Sequence, residues 1–145
     1  MALEIVISSK LPTKKTAVVK YEKGAKLNSK ELGVLNWITE NVGGKILVLK
    51  TKMINGIKSP DLQMDIFAEI KNTSGSLNTL DKHIRQAAKQ TRNGRVFVDI
   101  TDAGYSNVEA IVTAANRMLR SGLLEVCIIR NDELIARVQL KKENR

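Results

Sequence analysis

Asp61, Glu69 and Lys71, two carboxylates and an ammonium, fall within one alternating segment of the chain, Lys58 to Lys71. Asp61 follows a proline, and Glu69 precedes Lys71 by two residues. Leu62, Met64, Ile66, Ala68 and Ile70 share one parity. Asp61, Gln63, Asp65, Glu69 and Lys71 share the other, which only Phe67 interrupts. Period-two alternation predicts strand, with one apolar and one polar face. Two carboxylates with a nearby ammonium can hold a divalent cation and activate water, which is the chemistry of phosphodiester cleavage. In one straight strand, Asp61 and Glu69 would stand about 26 Å apart. If the chain folds back near Asp65, residues whose numbers sum to 130 face each other. Asp61 then opposes Glu69, and Ser59 opposes Lys71, with Cβ atoms about 4.5–5.5 Å apart. Met64-Asp65-Ile66 contains neither glycine nor asparagine, so this reversal requires a bend or bulge.

The rest of the sequence bounds the setting. A chain of 145 residues with 43% hydrophobic content suffices for one domain and its core. With one Trp, two Tyr and two Phe, that core must be aliphatic. The formal charge of +9 points to a polyanionic partner. Cys127 is the single cysteine, so no internal disulfide forms. Its apolar neighbours Val126, Ile128 and Ile129 predict a buried residue rather than a nucleophile. No apolar run approaches the roughly 20 residues that cross a bilayer. No signal peptide is evident, and no helix joins a basic face to bulky apolar anchors, so membrane binding is not expected.

Residues 1–27 are basic and read as an N-terminal tether or an added hairpin, with short strands near Leu3–Ile7 and Thr16–Val19. Asn28 and Glu31 have capping-box spacing. The helix that they open carries Leu32, Leu35, Ile38 and Val42 and ends at Gly43-Gly44. A strand from Lys45 to Lys50 precedes the acidic segment, with Asn55-Gly56 in the intervening loop. A helix is predicted from about Thr79 to Thr91, then a strand at Arg95–Ile100. Ser106 and Glu109 repeat the capping box. Val108, Ile111, Val112, Ala115 and Leu119 mark the expected inner face of that helix. Two strands, Glu125–Arg130 and Glu133–Val138, close the domain around Asn131-Asp132. From residue 28 to 140 the order is α-β-β-β-α-β-α-β-β, an α/β or α+β domain with a mixed central sheet and flanking helices. Residues 141–145 read as a charged tail.

Other residues could serve the same chemistry. Glu40, late on the first helix, could complete an acidic cluster with Asp61 and Glu69 for Mg²⁺ or Mn²⁺. His83 could act as general acid or base in a metal-free reaction. Lys82, Arg85, Gln86, Lys89 and Gln90 form a polar helix side suited to phosphates. Ser74, Ser76, Asn78 and Thr79 lead into the N-terminus of that helix, where amide groups favour a phosphate. Tyr105 could stack on a base, whereas Trp37 suits the core. The structural alternative for Asp61, Glu69 and Lys71 is a solvated strand face whose ion pair contributes only about a few tenths of a kcal/mol.

From Asn28 to Val138 the chain resembles the C-terminal nuclease domains of bacterial contact-dependent growth inhibition toxins and related polymorphic toxins. The likeness lies in the helix near Leu32–Glu40, Lys58-Ser59-Pro60-Asp61, Glu69-Ile70-Lys71, the helix ending Ala88-Lys89-Gln90, the strand Val96–Ile100 and the closing pair Glu125–Val138. One kind of such domain has a restriction-endonuclease-like core with the PD-(D/E)xK motif. That resemblance implies Asp61, Glu69 and Lys71 as catalytic residues, Glu40 as an optional acid and Gln90 as an accessory residue. The other kind is the metal-independent barnase–colicin–RelE-like group, which would point to Lys71, Thr79, His83, Arg85 or Gln90. Lys58, Ser59, Thr79, Arg85, Lys89 and Gln90 are then expected to bind substrate. Both kinds include toxins that cut tRNA in the cytoplasm of a neighbouring bacterium and are blocked by an acidic immunity protein. The resemblance thus implies a fragment of an exported toxin. A DNase on the same residues and a non-catalytic nucleic-acid-binding module are the alternatives. An immunity or antitoxin protein fits the positive charge poorly.

Overall fold

A computed structural model of the protein describes residues 3–142. An eight-stranded mixed sheet carries three helices. Strands β1 (Leu3–Ser8) and β2 (Val18–Tyr21) come first, followed by helix α1 (Ser29–Asn41) and β3 (Lys45–Val48). Two short strands, β4 (Met53–Ile54) and β5 (Ile57–Lys58), pair only with each other. Then follow β6 (Leu62–Gln63), β7 (Phe67–Asn72), α2 (Leu77–Gln90), β8 (Arg95–Asp99), α3 (Asn107–Ser121), β9 (Glu125–Arg130) and β10 (Glu133–Lys142). The sheet runs β1-β10-β9-β8-β7-β6-β3-β2. β7, β8 and β9 are parallel, linked through α2 and α3.

The N-terminal segment is not a hairpin. β1 pairs with β10 at one edge, and β2 pairs with β3 at the other. Each strand finds its partner in the main sheet, so residues 3–21 bracket it rather than form a tether. Lys141 and Lys142 extend β10, so the expected tail from residue 141 begins as strand; residues 143–145 lie outside the described residues.

Both capping boxes form. Asn28 Oδ1 accepts from Glu31 N at 2.8 Å, and Ser106 Oγ accepts from Glu109 N at 3.1 Å. α1 covers one sheet face, where Leu35, Trp37 and Ile38 meet Leu62, Ala68, Ile70 and Phe97. α2 and α3 cover the other, where Leu80, Ile84, Ala114 and Met118 meet Val96, Val98 and Val126. Alternation along β7 sends Ala68 and Ile70 toward α1, and hence Glu69 and Lys71 toward the side of α2.

α3 departs from its expected facing. Ala110, Ala114 and Met118 are buried, whereas Val108, Val112 and Leu119 are 69%, 52% and 47% exposed. Small residues let the helix lie close on α2 and the sheet, which turns Val108, Val112 and Leu119 to solvent, while Ile111 and Ala115 of the expected face still pack against the core. α2 begins at Leu77, two residues before the expected start.

The chain folds back where the paired numbers required it: Leu62 faces Ala68, and Gln63 faces Phe67. No glycine makes this turn. Met64 N donates to Ile66 O at 3.0 Å, and Arg95 Nη1 donates to Asp65 Oδ1 at 2.9 Å. Arg95 also pairs with buried Glu125, which accepts from Arg137 Nε at 2.8 Å. An ion-pair chain across β8, β9 and β10 therefore holds the turn from outside its own residues. The Arg95 guanidinium keeps the Asp65 carboxyl below its ordinary range.

Arg95→Ala should cost about 1.5–3 kcal/mol of unfolding free energy, because buried Glu125 keeps only Arg137 and the turn loses its anchor. Urea denaturation measures this. A loss under about 1 kcal/mol, the scale of an exposed pair, would mean that the chain contributes no more than a surface salt bridge.

Candidate active site

Folding back joins Asp61 and Glu69. Asp61 N donates to Glu69 Oε1 at 2.9 Å, and Ile70 N donates to Asp61 Oδ2 at 2.9 Å. Each acid thus grips the backbone of the opposite limb. Asp61 is 5% and Glu69 1% exposed. Lys71 Nζ lies 3.4 Å from Glu69 Oε2, and the lysine side chain retains some contact with solvent. This is not a solvated strand face.

Burial is the first cause that pushes the Glu69 carboxyl up, to about 8; the adjacent Asp61 charge adds to it, while Lys71 and Lys58 oppose it. Near neutral pH the pair therefore holds a proton that two isolated carboxylates would have lost.

His83 closes the site from α2. Its Nδ1 and Thr73 Oγ1 are joined by a 2.7 Å hydrogen bond. Burial, then Lys71 and Lys82, hold its basicity below the ordinary value. A neutral ring that accepts from the Thr73 hydroxyl carries its proton on Nε2. Lys58, on β5, is close enough to act on Glu69 electrostatically. The site thus combines Asp61, Glu69 and Lys71 with His83, Thr73 and Lys58.

Other expected members do not join it. Glu40 is exposed on α1, across the sheet from Glu69, because α1 packs on the face of Ala68 and Ile70. Among the described residues, no group of three or more acidic, histidine or cysteine side chains is placed to hold a metal. Ser59 does not serve as a free ligand beside Lys71. Its hydroxyl accepts from Lys52 N at 2.8 Å and donates to Lys50 O, which ties the preceding loop. Thr79 lies half-buried in the first turn of α2, where the N-cap Ser76 makes no side-chain cap. Gln90 ends α2 with a buried Oε1 that has no partner among the described residues. Arg85 and Lys89 are exposed on the opposite flank of α2. Tyr105 packs against the core with Arg130 over its ring, so it offers no open stacking platform. Cys127 is buried, and burial drives its thiol away from thiolate formation.

Two carboxylates still fit a hard cation. Mg²⁺ commonly takes one or two carboxylates and completes its shell with water and substrate oxygens. Asp61 and Glu69 would hold such an ion after Glu69 releases its proton.

Sequence reasoning missed Thr73, Arg95 and Glu125. Thr73 follows β7 in the parity of Glu69 and Lys71, a signal that extending the alternation by two residues would have given. Arg95 and Glu125 carry no local signal. No known protein family, curated protein or solved structure matches the chain.

The raised Glu69 carboxyl fixes a sign for stability. Below its ordinary value near 4.5 both folded and unfolded chains hold the proton. As pH rises toward about 8 the unfolded chain sheds it first, so stability falls across that window. Glu69→Gln keeps an oxygen for Asp61 N and removes the titration. Thermal melts between pH 5 and pH 9 should show the substituted protein gaining on the parent as pH rises. Parallel curves would contradict the buried-pair assignment.

Proposed function

We propose that this chain is a nuclease that hydrolyses a phosphodiester bond in RNA, tRNA first among candidates. The observation that carries the proposal is the buried Asp61–Glu69 pair with Lys71 Nζ 3.4 Å away. A fold gains little by burying two carboxylates together, since each loses hydration and repels the other. Such a pair is expected where function requires it.

In this reading, Asp61 and Glu69 would hold a divalent cation, which would neutralise charge at phosphorus and lower the pKa of a bound water. Lys71 sits where it can orient the attacking water or stabilise charge on the phosphoryl oxygens. With Nδ1 engaged by Thr73, Nε2 is the His83 ring nitrogen left for a substrate oxygen. Water attacks phosphorus, forming one P–O bond as the ester P–O bond breaks, and its proton passes to the leaving oxygen, which gives a phosphomonoester and a hydroxyl. The order β6-β7-α2-β8, with both acids on the hairpin, supports a restriction-endonuclease-like core for this site. The charge of +9 supports a polyanionic substrate. The resemblance to polymorphic toxin domains adds the biological setting: delivery into a competing bacterium and inhibition by an acidic immunity protein.

One observation favours a second reading. His83 is bonded to Thr73 and lies within electrostatic reach of Lys71, so a metal-independent ribonuclease could use His83 for proton transfer. A DNase on the acid pair is the remaining variant.

Incubation of total tRNA and plasmid DNA with the protein, in Mg²⁺ and in EDTA, separates these. We expect tRNA cleavage in Mg²⁺, none in EDTA, and roughly a 10²-fold or greater loss in Asp61→Ala and Lys71→Ala. Cleavage that persists in EDTA and disappears in His83→Ala would transfer the chemistry to the histidine. Intact RNA and DNA under every condition would reject the nuclease.

A further inference from the structure

The helix flank opposite His83 has a groove of its own. Arg85, Lys89, Arg92, Asn93, Arg117 and Arg120 line a cleft of about 430 Å³ between the C-terminal ends of α2 and α3. Five of these six side chains are cationic. Arg117 is committed to Asp81 through two 2.8 Å hydrogen bonds. Arg85, Lys89, Arg92 and Arg120 have no ion-pair partner among the described residues.

The backbone adds a second observation. Arg92 and Asn93 both adopt left-handed conformations, with φ of 53° and 60°. Asparagine tolerates that region, but arginine pays a steric cost there. No hydrogen bond or ion pair of the Arg92 side chain offsets the cost among the described residues. The conformation leaves Arg92 exposed at the mouth of the cleft. Gly94 follows because a Cβ there would meet Phe67 O at 2.3 Å, so the turn is fixed against β7 and cannot swing freely.

We infer that this α2–α3 groove is a second contact for nucleic acid, in which Arg92 and Arg120 hold phosphates of a folded RNA away from the bond that is cut. For its RNA partner, the inference rests on the nuclease reading. His83 and Arg85 lie about half a turn apart on α2, and a helix with side chains is ~10–12 Å across. A single nucleotide cannot reach both flanks, whereas a polynucleotide can. The lining also argues against a protein partner. Protein interfaces are anchored by aromatic and large apolar side chains, and the only apolar residue here is the buried Ala88. Unpaired guanidinium groups without apolar anchors suit a phosphate backbone.

The test uses Glu69→Gln protein, so that binding is read without cleavage, with labelled total tRNA as probe. Arg92→Asn/Arg120→Ala in that background should weaken binding about tenfold at 0.15 M salt and lower the slope of log K against log salt by about 1.5. Lys10→Ala/Lys14→Ala removes the same charge elsewhere and should leave the slope unchanged. Arg92→Asn alone should melt at the parent temperature or above it, because asparagine relieves the left-handed strain. Equal slopes for the two double variants would overturn the inference. So would loss of polyglutamate binding with tRNA binding intact, which would assign the groove to an acidic protein. Groove-dependent tRNA binding in a protein whose parent cuts no nucleic acid would support the groove and reject the nuclease.

Discussion

The reciprocal grip between Asp61 and Glu69 organises this protein. Each carboxylate takes a backbone N–H from the other limb of one hairpin. The same two bonds close the fold-back, align β6 with β7 and bring two carboxyl groups together out of water. Local structure and chemistry cannot be separated here. Moving either acid would loosen the hairpin as well as empty the site.

Such a pair needs support from a distance. The turn at Met64-Asp65-Ile66 has no residue suited to tight reversal, and Arg95 on β8 supplies the restraint through Asp65. Glu125 and Arg137 extend that restraint across β9 and β10. The parallel strands thus serve as the rigid frame, and the antiparallel hairpin at their flank carries the acids. α2 closes the arrangement with His83 hydrogen-bonded to Thr73 and within electrostatic reach of Lys71.

Much of this was legible in sequence because it follows from short-range periodicity. Alternation placed Glu69 and Lys71 on one face, and number pairing placed Asp61 across from Glu69. The capping residues Asn28 and Ser106 marked two helices. What was not legible depends on long-range packing. The apolar spacing of α3 suits two different faces, and only contact with α2 and the sheet selects Ala110, Ala114 and Met118 for burial. The destinations of β1 and β2 at opposite edges have no local signature either. Glu40 had a suitable residue type on a suitable helix, but the sheet lies between it and Glu69. Ser59 had a suitable number but was claimed by its own loop. Arg92 was hidden because its role arises from a backbone conformation rather than a motif.

Under the proposed function, the buried pair would give up its proton in exchange for a divalent cation. Calorimetric titration of Mn²⁺ at pH 7, repeated in buffers of different ionisation enthalpy, measures that exchange directly. The account predicts saturable binding with release of a substantial fraction of one proton, up to about one per ion, and loss of both in Glu69→Gln. Absence of binding, or binding that releases no proton and survives that substitution, would contradict it.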